Sequence, residues 1–88
     1  MKIRFFGSPK CKNCLELYVI LNKYQIDFEY IDAFDEKKEI QDICDFYNVE
    51  ELPHIQFIDD KENILIEHIG EINANEFMKY MIDYFPQY

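Results

Sequence analysis

Along the chain the apolar positions change from a period of two to a period near 3.6 and back, and each change marks an element. Lys2 to Phe6 (KIRFF) alternates before turning apolar, and Gly7-Ser8-Pro9 stops it, which predicts a strand. From Cys14 onward, Leu17, Tyr18, Leu21 and Tyr24 fall on one helical face, with Cys11 at or beside the helix N-terminus. Residues 27–31 (DFEYI) carry β-formers at every second position and predict a second strand. Ile40, Ile43, Cys44 and Tyr47 recur at i, i+3, i+4 and i+7, so 36–47 predicts a second helix. Beyond Pro53, HIQFI (54–58) and NILIEHI (63–69) flank the charged turn Asp59-Asp60-Lys61-Glu62, the pattern of a hairpin. Finally Ala74, Phe77, Met78, Met81, Ile82 and Phe85 hold one stripe, and Asn73 with Glu76 three residues later offers an N-cap and a capping box. The order β-α-β-α-β-β-α has no linker or repeat. It predicts an α/β fold, a four-stranded mixed sheet with helices on both faces.

Composition adds that this can be a single domain spanning 1–88. At 49% apolar, with eight Phe and seven Tyr, the 88 residues can build a core without staples. No run approaches the ~20 apolar residues of a membrane span, and MKIRFFGSPK lacks the long apolar region of a signal peptide. Three cysteines do not make the paired framework of a small secreted domain, so the expected setting is the cytoplasm, with no membrane partner. The net charge of −9 argues against nucleic acid, because a polyanion needs a basic footprint. That charge is unevenly spread. Residues 1–15 hold Lys2, Arg4, Lys10 and Lys12 and no acid.

The cationic segment contains the candidate chemistry, Cys11-Lys12-Asn13-Cys14. A thiol attacks a disulfide as thiolate, so a redox cysteine needs something to lower its pKa from about 8.5. Cys11 has two such devices. The unpaired N–H groups and positive dipole end of the first helix would stand near it, and Lys10 and Lys12 flank it. Cys14, a turn further on, lies on the core-facing stripe, shielded until a mixed disulfide forms on Cys11 and then placed to resolve it. A structural zinc site is the rival reading. It wants four ligands and would have to conscript two of Cys44, His54 and His68, none of which has paired-ligand spacing. Cys44, on an apolar stripe, reads more simply as a small hydrophobe of the core. His54 reads either as a half-exposed strand residue or as a titrating neighbour that tunes Cys14.

An apolar strand, then S-P-x-C-x-x-C opening a helix, then a late proline before a hairpin, resembles the thioredoxin/glutaredoxin superfamily. The segment ICDFYNVEELPHIQFI is similar to the family's helix, tyrosine, turn and proline-initiated strand, and HIGEINANEFMKYM to its glycine-then-helix closure. The resemblance covers essentially the whole chain and implies a dithiol oxidoreductase. It implies a cis proline at Pro53 facing the redox pair, and a substrate groove shaped by Leu52 and Pro53, with Lys10, Lys12 and Gly70 as further substrate contacts. No cofactor or metal is implied beyond the Cys11–Cys14 pair; the alternative from another class is a non-catalytic module in which Cys11 ligates a metal or Fe–S cluster, or the fold docks a protein partner. The implied partners are disulfide-containing protein substrates and a thioredoxin-reductase-like enzyme or glutathione as electron donor, with the protein acting as a monomer. Three departures bear on subtype. Gly7 and Ser8 stand where glutaredoxins usually carry a cation, and Glu71 follows a single Gly70, both of which weaken glutathione use. Phe5 occupies the place of the buried acid found in larger thioredoxins.

Overall fold

The computed structural model describes residues 2–86. Its elements are β1 (Lys2–Gly7), α1 (Lys12–Lys23), β2 (Glu29–Asp32), α2 (Lys38–Phe46), β3 (His54–Ile58), β4 (Ile64–Ile69) and α3 (Ala74–Tyr84), in the predicted order. The strands form one sheet in the order β2-β1-β3-β4. β1 runs parallel to β2 and antiparallel to β3, and β3 pairs antiparallel with β4. The parallel pair is joined through α1 as a crossover, whereas β3 and β4 need only the Asp59–Asn63 turn. In that turn Asp59 Oδ1 accepts the backbone N–H groups of Lys61 and Asn63, each at 2.9 Å. The Asn63 backbone bond foremost holds the Asp59 carboxyl below the usual carboxylate range. No described helix is long and apolar enough to cross a membrane.

Side-chain alternation along β1 and β3 divides the interior in two. Ile3, Phe5, Ile55 and Phe57 meet Cys14, Leu17 and Leu21 of α1 and Phe77 and Met81 of α3 in the larger cluster. Phe6 points to the other face, where Ile31 and Cys44 of α2 form the smaller one. Helices therefore cover both faces, as predicted. The two clusters differ in completeness because α2 packs over β1 and β2. On that face the outer strand β4 leaves Leu65 and Ile69 exposed.

This half-covered face has polar contents. Arg4 donates to Gln56 Oε1 at 2.9 Å, and Gln56 Nε2 donates to Glu67 at 3.2 Å. The same Glu67 carboxylate takes a short contact from Nε2 of His54. His54 is 1% exposed, which corrects the half-exposed reading. It also stands beside Phe6, on the face opposite the cluster that holds Cys14, so it is not the neighbour that tunes that thiol. Glu67, on the adjacent strand, supplies an acceptor for Nε2 of the buried ring. Glu67→Ala removes that acceptor from both His54 and Gln56, and a loss of about 1–3 kcal/mol is expected. Urea unfolding checks this: a shift under about 0.5 kcal/mol would mean the network adds nothing to stability, and Glu67→Gln should recover part of any loss.

The element boundaries moved at several ends. α1 and α2 both stop in a Schellman arrangement without glycine. Gln25 and Asn48 take φ of 55°, and Ile26 N–H reaches Leu21 O while Val49 N–H reaches Cys44 O, both at 2.9 Å. The second helix is therefore Lys38–Phe46, with Lys37 and Tyr47 as its caps. The second strand begins at Glu29, where pairing with Arg4 begins. Three stripe residues are surface residues: Tyr18, Tyr24 and Ile82 are 47%, 43% and 67% exposed. Each follows a more deeply buried stripe position by one or three residues, and a step of one turns the helix by ~100°, away from the sheet. The capping box on α3 is present as expected, with Asn73 Oδ1 accepting the Glu76 N–H at 2.8 Å.

Candidate active site

The site is built where β1 runs out. Gly7 closes the strand between two rings, and a Cβ there would lie 2.8 Å from the Phe5 ring and 3.1 Å from that of Tyr30. Only glycine allows that approach. Ser8 then turns the chain: its carbonyl accepts the Cys11 N–H at 3.1 Å and its hydroxyl oxygen accepts the Lys10 N–H at 3.2 Å. Ser8 is itself buried, so the turn is fixed from inside.

Cys11 emerges from the turn as the N-cap of α1, with φ −93° and ψ 114°. N-caps are usually Ser, Thr, Asp or Asn, whose side-chain oxygen accepts a free N–H of the first turn. Here sulfur does that work, and Cys11 Sγ accepts the N–H of Cys14 at 3.2 Å. The first turn contains no acid to oppose negative charge on this sulfur. Cys11 and Cys14 are joined as a disulfide with Cα atoms 5.2 Å apart. The two differ in surroundings. Cys14 is 2% exposed within the larger cluster, while Cys11 is half-buried at its margin.

Leu52 packs at the margin of that same cluster and also touches the smaller one, so it spans the end of the sheet between the two helix layers. The Leu52–Pro53 peptide is cis, as the resemblance implies. Pro53 O accepts the Gly70 N–H at 2.8 Å, which brings the predicted Pro53 and Gly70 together. Gly70 has φ +93°, and a Cβ there would come within 3.1 Å of the Glu51 carboxylate. The positive φ makes any side chain there strained, and the Glu51 carboxylate would have to give way as well.

Neither a protein-family profile nor a curated protein matches the chain in sequence. Solved structures match it in fold. Thioredoxin 1 of the thermophilic eubacterium Thermosipho africanus TCF52B superposes with a TM-score of 0.73 at 22% identity, over 98% of this chain and 96% of its own. A mutant thioredoxin of Halobacterium salinarum NRC-1 gives 0.75 at 21% identity, over 94% and 73% respectively. Thioredoxin O2 of Arabidopsis thaliana, in its oxidised state, gives 0.75 at 18%, over 94% and 74%. This chain has the thioredoxin fold.

Within the thioredoxin fold the remaining predicted residues fall as follows. Lys10 and Lys12 are exposed on either side of Cys11, with no ion-pair partner among the described residues. The side chains that a zinc site would need lie apart. Cys44 is in the smaller cluster, His54 is against Glu67, and His68 lies between the Tyr80 hydroxyl and the Glu71 carbonyl. Among the described residues no three metal-ligating side chains are gathered. Burial pushes the Cys44 thiol up, and the charge of Asp45 adds to it. Sequence reasoning missed one feature. Asp32, the last residue of β2, and Phe34, just beyond it, reach the Ser8–Lys10 turn and line a groove with it. The signal available was a lone aromatic, Phe34, among the polar residues between β2 and α2.

Proposed function

We propose that this protein is a thiol–disulfide oxidoreductase that reduces disulfides in other proteins through Cys11 and Cys14. The observation that carries the reading is the asymmetry of the pair. One sulfur caps a helix N-terminus at the margin of the core, and its partner is buried one turn later. The helix terminus, the Cys14 N–H and the exposed Lys10 and Lys12 all favour the anionic form of the reduced Cys11 sulfur. That thiolate attacks one sulfur of a substrate disulfide, forming a mixed disulfide and expelling the other sulfur as thiolate. Cys14, losing its proton to solvent, then attacks Cys11 Sγ. The mixed disulfide breaks, the second substrate thiolate leaves, and the Cys11–Cys14 disulfide remains. Two electrons pass to the substrate. They are restored by a thioredoxin-reductase-like enzyme or by glutathione.

Leu52, beside the cis proline and at the margin of the cluster that Cys11 also borders, offers a surface against which the substrate chain can lie. The thioredoxin fold of the neighbours supports a redox role of this type. A glutathione-dependent mechanism has less support, because the Glu51 carboxylate stands at Gly70 and Glu71 follows it. Cys14→Ser separates the two. If Cys14 is the resolving thiol, the variant accumulates a mixed disulfide with a protein substrate, seen as a mass increase that dithiothreitol reverses. Full protein-disulfide turnover by Cys14→Ser would rule out the resolving role.

A further inference from the structure

The groove beside Cys11 points to a preference in the substrate. Its walls are Ser8, Pro9 and Lys10 on one side and Asp32 and Phe34 on the other, around about 550 Å³. That volume falls within the range of about 300–1,000 Å³ typical of sites for small molecules, which leaves room for one large side chain. Both walls are braced by the backbone. Ser8 secures the first, as described above. In the second, Asp32 Oδ1 accepts the Phe34 N–H at 2.9 Å, Ala33 N–H reaches Gly7 O at 2.9 Å, and Gln41 Nε2 donates to Asp35 O at 2.7 Å. The Phe34 ring is nonetheless 72% exposed. The ring packs into neither core cluster and instead forms an apolar wall of the groove facing Pro9 and Lys10.

We propose that this groove is a subsite for a bulky apolar side chain, aromatic by preference, of the protein substrate whose disulfide Cys11 attacks. The inference rests on the oxidoreductase reading above and names the substrate class within it. The occupant is the substrate for reasons of continuity. A chain bonded through sulfur to Cys11 starts beside the neighbouring residue, Lys10, which is already part of the groove. Residues within about three positions of the substrate cysteine can reach it, at ~3.5 Å of chain each. Charge decides the kind of side chain. The groove presents one cation, Lys10, and one anion, Asp32, so a charged occupant is drawn by one and repelled by the other. A neutral apolar occupant packs between Pro9 and Phe34 and leaves both charges in water. Around the groove the exposed Lys10 and Lys12 complement an acidic flank on the substrate, while the acid-rich remainder of this chain repels one elsewhere.

The test uses disulfide peptides with the same acidic flank and the same leaving thiol, differing only in Phe, Ala or Lys two residues from the cysteine. For the wild type, kcat/KM for the Phe peptide should exceed that for the Ala peptide by about tenfold, as burial of one aromatic side chain allows. In Phe34→Ala that ratio should fall to about one, and in Phe34→Leu most of it should remain. Because Phe34 is exposed, its removal opens no core cavity and an unchanged thermal melt should accompany the lost preference. A wild-type ratio near one, a ratio that survives Phe34→Ala, or a preference for the Lys peptide would each overturn the subsite. Failure of the wild type to reduce any of the three peptides is a different result, and it would overturn the oxidoreductase reading itself.

Discussion

Cys11→Ser should abolish reduction of a protein disulfide such as that of insulin, by at least about a thousandfold relative to wild type. The size follows from chemistry. A serine hydroxyl at this position can still accept the Cys14 N–H and cap the helix, so the fold should survive. It cannot form a disulfide with the substrate, however, so no mixed intermediate exists for Cys14 to resolve. The buried Cys14 is a poor substitute, being 2% exposed within the apolar cluster. Insulin precipitation followed by turbidity, with dithiothreitol as electron source, reads this out. Equal turnover by variant and wild type would place the attacking group elsewhere. Cys44, the third thiol, is ill-suited to that role, since burial keeps it protonated.

The other large effect concerns the core under the site. Phe57 is fully buried on β3, with ring centroids 5.8 Å from Phe77, 5.5 Å from Tyr80 and 5.4 Å from Phe85. Truncation to alanine removes a whole ring between the sheet and α3, and a loss of about 3–5 kcal/mol is expected. A domain of this size commands only about 5–10 kcal/mol in total, so the variant should sit near its unfolding threshold at ambient temperature. Urea unfolding by circular dichroism should show a much lower midpoint with an unchanged slope. A loss under about 1 kcal/mol would mean that α3 does not depend on this contact.

What the sequence disclosed follows the range of the interactions involved. The order of elements and the two-faced sheet were legible because period 2 and period 3.6 are local signals, and the Asn73–Glu76 box is a local contact of the same kind. Helix ends were less legible. Gln25 and Asn48 adopt the left-handed conformation that glycine normally announces, and nothing in their side chains declares it. The stripe residues Tyr18, Tyr24 and Ile82 were placed too deep because periodicity gives a direction around the helix and not how far the neighbouring layer extends. The burial of His54 was hidden for another reason. Its partner Glu67 belongs to the next strand, and only the strand register brings the two together.

The candidate site shows the same division. Cys11, Cys14 and the two lysines sit in one short segment, and the deeper burial of Cys14 relative to Cys11 could be read from their places on one helix. Leu52, Pro53 and Gly70 came through the family resemblance, and the cis bond and the Pro53–Gly70 hydrogen bond give them a physical setting. The groove lined by Phe34 could not be read, because it exists only where the β1–α1 and β2–α2 connections meet across the parallel pair.

The central claim, that Cys11 and Cys14 form a redox-active dithiol, is tested most directly by a redox titration against glutathione or dithiothreitol buffers, with thiol alkylation and mass spectrometry at each potential. One two-electron transition confined to Cys11 and Cys14 is predicted, at about −250 mV or below as befits a reductant, with Cys44 alkylated to the same extent throughout. A pair that stays reduced across the whole range, or a transition that persists in Cys11→Ser, would contradict it.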